Sequence, residues 1–97
     1  MKELWYFYAS WCSYCKQQNP ILDEFIAEHP EVNVIKILED DDKDAVELNN
    51  IQSFPTFIVL RGNDPLKSIP GLHDKEQLEE LFAWWKRSQL KLSMTVA

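Results

Sequence analysis

Cys12 and Cys15 stand three positions apart in the stretch YASWCSYCKQQNP, residues 8–20, and the chain has no other cysteine. On a helix this spacing brings both side chains to one face. Three chemistries use such a pair: a structural staple, half of a metal site, or a dithiol that is oxidised and reduced in turn. A staple would close a very short loop, and short loops gain least from cross-linking. The 97-residue chain is also 45% hydrophobic, with four Trp, three Tyr and five Phe, so it can fill a core without one. A zinc site needs four ligands. The remaining donors would be His29 and His73, 44 positions apart and outside any usual finger spacing. No metal is expected, and the two histidines are expected only to end one helix and precede another.

The net charge of −6 at pH 7 argues against nucleic acid and anionic membranes as partners. No apolar run approaches the roughly 18 residues of a spanning helix, and the opening MKELWYFYASW lacks the pattern of a secretory signal. The expectation is a soluble, cytoplasmic monomer. In that reducing compartment a cysteine pair is more often catalytic or metal-binding than structural.

The elements that must position the pair follow from periodicity. Residues 3–8, ELWYFY, read as an aromatic-rich strand. Ser13 to Glu28 carries Leu22, Phe25 and Ile26 at helical spacing, continued by His29 and stopped by Pro30. VNVIKIL, 32–38, is β-branched and nearly unbroken, as expected of a strand covered on both faces. The acidic loop 39–44 leads into a short helix ending near Asn50. PTFIVL (55–60), a turn at 61–64 and PLKSI (65–69) read as a hairpin. A final helix runs from Asp74 to about Leu92, with Leu78, Leu81, Phe82 and Trp85 on one stripe. Trp84 and Trp85 are expected to be core plus one exposed neighbour. Residues 1–92 are expected to form a single domain, and 93–97 a loose tail.

The resulting βαβαββα order is α/β: a four-stranded mixed sheet flanked by three helices. It places Cys12 just past the first strand, at the mouth of the first helix, on the sheet edge where α/β proteins build sites. Unpaired N–H groups and the positive end of the helix dipole favour a thiolate there, so the Cys12 pKa should fall below that of a free cysteine. Cys15 lies one turn deeper. Cys12 is the natural attacking sulfur and Cys15 the natural resolving one.

WCSYCK resembles the active site of thioredoxin-like disulfide oxidoreductases, and the resemblance runs in register from residue 3 to about residue 85. Pro20 matches the proline of the family's active-site helix, and PILDEF follows it. Lys36 matches a strand lysine, SFPTFIVL the segment with the family's cis-proline, here Pro55, and Gly71 the glycine before the last helix. The resemblance implies a minimal thioredoxin fold and a protein-disulfide reductase. Cys12 would form a mixed disulfide with substrate, and Cys15 would release it. A cis Phe54–Pro55 bond would let an extended substrate segment pair with that loop, and Trp11, Ser13, Tyr14 and Gly71 would complete the docking surface. No cofactor is implied beyond the Cys12–Cys15 disulfide. The partners would be protein disulfides and an electron donor, either a thioredoxin-reductase-like protein or glutathione.

Three departures stand out. The family's additional N-terminal strand and helix have no counterpart in this sequence. Tyr6 occupies the position where thioredoxins bury an acid, and Ser13-Tyr14 replaces the usual Gly-Pro. Lys36 is either an electrostatic aid to the cysteines or merely a strand-end charge. Glutaredoxins, which share a tyrosine at the Tyr14 position, suggest a glutathione-dependent alternative, and some of them share an iron–sulfur cluster between chains. Their Gly-Gly turn is lacking here, and the acidic run Glu39–Asp42 would disfavour anionic glutathione. A redox-independent interaction module on the same fold is the remaining alternative.

Overall fold

The computed structural model describes residues 2–62 and 64–96. The elements follow the expected order: β1 (Lys2–Tyr8), α1 (Ser13–Glu28), β2 (Asn33–Leu38), α2 (Lys43–Leu48), β3 (Thr56–Arg61), β4 (Asp64–Pro70) and α3 (Lys75–Val96). The strands form one mixed sheet in the order β2-β1-β3-β4. β1 runs parallel to β2 and antiparallel to β3, which pairs antiparallel with β4.

Alternation along β1 and β3 supplies two cores, because successive side chains leave a strand on opposite faces. Leu4, Tyr6, Phe57 and Val59 face Leu22 and Phe25 of α1 and Leu78, Phe82 and Trp85 of α3. On the reverse face Phe7, Ile58 and Leu60 meet Ala45 and Val46 of α2 with Ile51 and Phe54 beyond it. Each large apolar side chain buried in this way contributes about 1.5–3 kcal/mol, so the aromatic content of β1 serves both layers. His29 does end α1, and it also ties that end to α3. Its Nε2 lies 2.8 Å from Glu79, and its ring packs on Phe25 and Phe82. Lys75 adds ion pairs from the first turn of α3 to Glu24 and Glu28 of α1. Trp85 is buried in the core, and Trp84 is half-buried beneath the Lys67 ammonium, 4.9 Å from its ring centroid.

Two expectations need correction. β2 is an edge strand with Asn33, Ile35 and Lys36 exposed, not a strand covered on both faces. Its β-branched residues specify extended backbone, but position within a sheet is decided by which neighbours pair with it. α3 continues to Val96, past its expected end near Leu92. No Gly or Pro lies between Lys75 and Val96 to stop it.

Candidate active site

The edge of the sheet where β1 and β2 end carries the cysteines. Cys12 is the N-cap of α1 with extended backbone, φ −89° and ψ 115°. Its Sγ accepts a hydrogen bond from the Cys15 backbone N–H at 3.1 Å. An N-cap side chain ordinarily supplies an oxygen to satisfy the first free N–H groups of a helix. Here a sulfur does so. The thiol of Cys12 also donates to the Phe54 carbonyl at 3.4 Å. Both cysteines are free thiols and both are buried, at 5% exposure for Cys12 and 1% for Cys15.

Cys15 is held protonated by its surroundings. Burial is the main cause, aided by its hydrogen bond with Cys12, and together they push its pKa from the ordinary 9.0 up to about 11. Backbone and side-chain hydrogen bonds from Ala9 and Tyr6 work in the opposite direction. Tyr6 is fully buried on β1 and donates its hydroxyl to Asn19 Oδ1 at 2.8 Å. Burial is also the first cause of its raised pKa, so the residue at the family's acid position is a neutral phenol.

The other predicted residues surround the pair unevenly. The Phe54–Pro55 bond is cis. Pro55 is buried, and its carbonyl accepts from the Gly71 N–H at 2.8 Å. Gly71 has φ +99° with open space where a Cβ would stand, so backbone conformation rather than crowding is what favours glycine there. Trp11 is 67% exposed, lies edge-on to Phe54 with centroids 5.7 Å apart, and donates Nε1–H to Glu39 at 2.9 Å. Tyr14 is 58% exposed, and Ser13 opens α1 at the surface. Lys36 instead points along the sheet edge to α1, where it pairs with Asp23 at 2.8 Å. Among the described residues no three His, Cys, Asp or Glu side chains are grouped to hold a metal ion.

Gln18 was not singled out from the sequence, yet it is fully buried and grips the loop before α3 from inside α1. Its Nε2 donates to the His73 carbonyl at 2.9 Å, and its Oε1 accepts from the His73 N–H at 2.8 Å. The signal was present. Gln18 falls in the buried stripe Cys15, Gln18, Leu22, Phe25, where a polar residue implies buried backbone partners.

The thioredoxin family model matches residues 2–83. This chain belongs to the thioredoxin family. The thioredoxin of Alicyclobacillus acidocaldarius is 37% identical over 78 residues, which make up 79% of this chain and 74% of that one. The thioredoxin of Chlamydia pneumoniae is 36% identical over 75 residues, 77% and 74% of the two chains. Among solved structures, the germline-specific thioredoxin Deadhead of Drosophila melanogaster superposes with a TM-score of 0.78 at 30% identity, over 84% of this chain and 78% of that one. Oxidised mitochondrial thioredoxin 3 of Saccharomyces cerevisiae gives 0.75 at 29% identity, over 81% and 74%. Thioredoxins are protein-disulfide reductases, and this family member is accordingly a thiol–disulfide oxidoreductase. No helix among the described residues is long and apolar enough to cross a membrane.

Proposed function

We propose that the chain reduces protein disulfides through Cys12 as nucleophile and Cys15 as resolving thiol. The observation that carries the reading is the capping geometry: Cys12 Sγ receives the Cys15 N–H at the start of α1, while the Cys15 thiol is buried one turn deeper. In the first step Cys12 sulfur attacks one sulfur of a substrate R–S–S–R′. A Cys12–S–S–R bond forms, R′S⁻ departs, and the proton lost by Cys12 ends on it. Cys15 then attacks Cys12 Sγ, closing the Cys12–Cys15 disulfide and releasing RS⁻, which takes the proton Cys15 gives up. The substrate gains two electrons and the pair loses two, so no cofactor is required and an external thiol donor must restore the dithiol.

Trp11, Ser13, Tyr14, Phe54, Pro55 and Gly71 form the docking rim in this reading, with an extended substrate segment laid along the Phe54–Pro55 loop. Lys36 serves the fold through Asp23. The acidic run beside Trp11 favours a thioredoxin-reductase-like donor over glutathione. We take residues 1–92 to act as one monomeric domain in a reducing, cytoplasmic setting.

Trapping tests the assignment. The Cys15→Ser variant, mixed with a disulfide-containing peptide, should accumulate a covalent adduct at Cys12 that intact-mass measurement detects, and Cys12→Ser should form none. An adduct on Cys12→Ser, or none on Cys15→Ser, would reverse or remove the roles.

A further inference from the structure

Gln18 has no part in the two steps above, and an apolar side chain would suit its place in the buried stripe of α1. Yet both ends of its fully buried amide are committed to one residue. Nε2 donates to the His73 carbonyl at 2.9 Å, and Oε1 accepts the His73 N–H at 2.8 Å. Paired to both backbone groups at once, the amide fixes the rotation of that segment as well as its distance. From His73 the hold passes to Gly71, whose carbonyl lies 2.8 Å from His73 Nδ1. A carbonyl oxygen only accepts, so Nδ1 carries the hydrogen. The Gly71 N–H donates in turn to the Pro55 carbonyl at 2.8 Å. Gln18 therefore connects the helix of Cys12 and Cys15 to two loops of the docking rim.

We propose that Gln18 is a positioning residue for substrate recognition, holding the Gly71 loop at a fixed offset from Cys12 so that an extended disulfide substrate meets a preformed rim. The inference rests on the docking rim described under the proposed function. A loop already ordered does not have to be ordered by the substrate, and affinity gains accordingly. The neighbouring contacts do not supply this hold. Asp74 and Gln77 close the start of α3 on itself, each accepting the other's backbone N–H at 2.8 and 2.9 Å. The ion pairs of Lys75 with Glu24 and Glu28 lie at the surface, where such pairs contribute little. Among the described residues, the hydrogen bonds joining α1 to residues 71–73 are those of Gln18. Cys12 owes its own geometry to the Cys15 N–H, so chemistry at the sulfur and docking at the rim are separable.

Two disulfides with one leaving group tell these apart in a stopped-flow instrument. The first is a nonapeptide with alanines around a central cysteine and lysine at both ends, its cysteine joined by a disulfide to 2-nitro-5-thiobenzoate. The second is 5,5′-dithiobis(2-nitrobenzoate), which carries no peptide. Cys12 sulfur attacks the peptide sulfur, a Cys12–S–S–peptide bond forms, and the coloured thiolate departs with the electron pair. The limiting rate reads attack, and the half-saturating concentration reads docking. Gln18→Leu should raise that concentration about fivefold, while the limiting rate and the rate with 5,5′-dithiobis(2-nitrobenzoate) stay within about twofold of the parent. An unchanged half-saturating concentration overturns the inference. So does an equal loss with both disulfides, which would place the effect of Gln18 at the cysteines. If Gln18→Leu does not fold, hydrogen exchange in the parent decides: the His73 amide should exchange more slowly when the serine analogue of the peptide is bound, and an unchanged rate overturns the inference. A parent chain whose rate does not saturate with the peptide overturns the docking rim itself, and this role of Gln18 with it.

Discussion

Cys15 makes the folded state sensitive to alkali. Its thiol ionises near 9.0 when unperturbed and near 11 in the fold, mainly because burial disfavours the anion. Between those values the native chain holds a proton that the unfolded chain has released, and stability falls wherever the native state binds more protons. The contribution is therefore complete below about pH 9 and lost as pH rises toward about 11. The raised pKa of Tyr6 acts in the same direction at higher pH. Urea melts of the reduced chain should show a midpoint that declines through this window, with a shallower decline for Cys15→Ala. Parallel curves for the two proteins would show that Cys15 does not carry the effect.

At the scale of elements, the site is assembled where three segments meet: the cap of α1, the loop before β3 and the loop before α3. Gln18 is the link that reaches the third. Replacing it by leucine leaves the N–H and carbonyl of the half-buried His73 without their partner, and each such orphan costs about 1–1.5 kcal/mol, the low end of the range for a buried group. Gln18→Leu should lower unfolding stability by about 2–3 kcal/mol in a urea titration. A loss under about 0.5 kcal/mol, the range of an ordinary surface change, would mean the loop is held by other contacts. The cysteines and the strand–helix order were legible in the sequence because spacing and periodicity are local signals. The partner of Gln18, the Tyr6–Asn19 bond and the Trp11–Glu39 bond were not, since each joins residues 13 or more positions apart, although the place of Gln18 on the buried stripe of α1 was readable. The edge position of β2 was illegible for a related reason, because composition describes a strand but not its neighbours. Lys36 shows the limit of register alone. It lies beside Tyr6 in the sheet, but Asp23 on α1 takes its charge.

Across the whole molecule, charge and exposure converge on one rim. Glu39 accepts the Trp11 indole N–H and its own N–H bonds to Tyr8, so the acidic run Glu39–Asp42 begins beside the cysteines. With a net charge of −6, this rim should attract basic protein substrates over distances that salt screens, about 10 Å at 0.1 M. Reduction of a basic disulfide substrate should slow as salt is added, chiefly through a rising KM, and a rate indifferent to salt would argue against steering. The central claim is that Cys12 and Cys15 form a reversible redox pair. Equilibration in graded thiol–disulfide buffers, followed through Trp11 fluorescence, tests it most directly. The account predicts a single two-electron transition near the thioredoxin value of about −270 mV, whereas a chain whose cysteines give no reversible transition at any poise would contradict it.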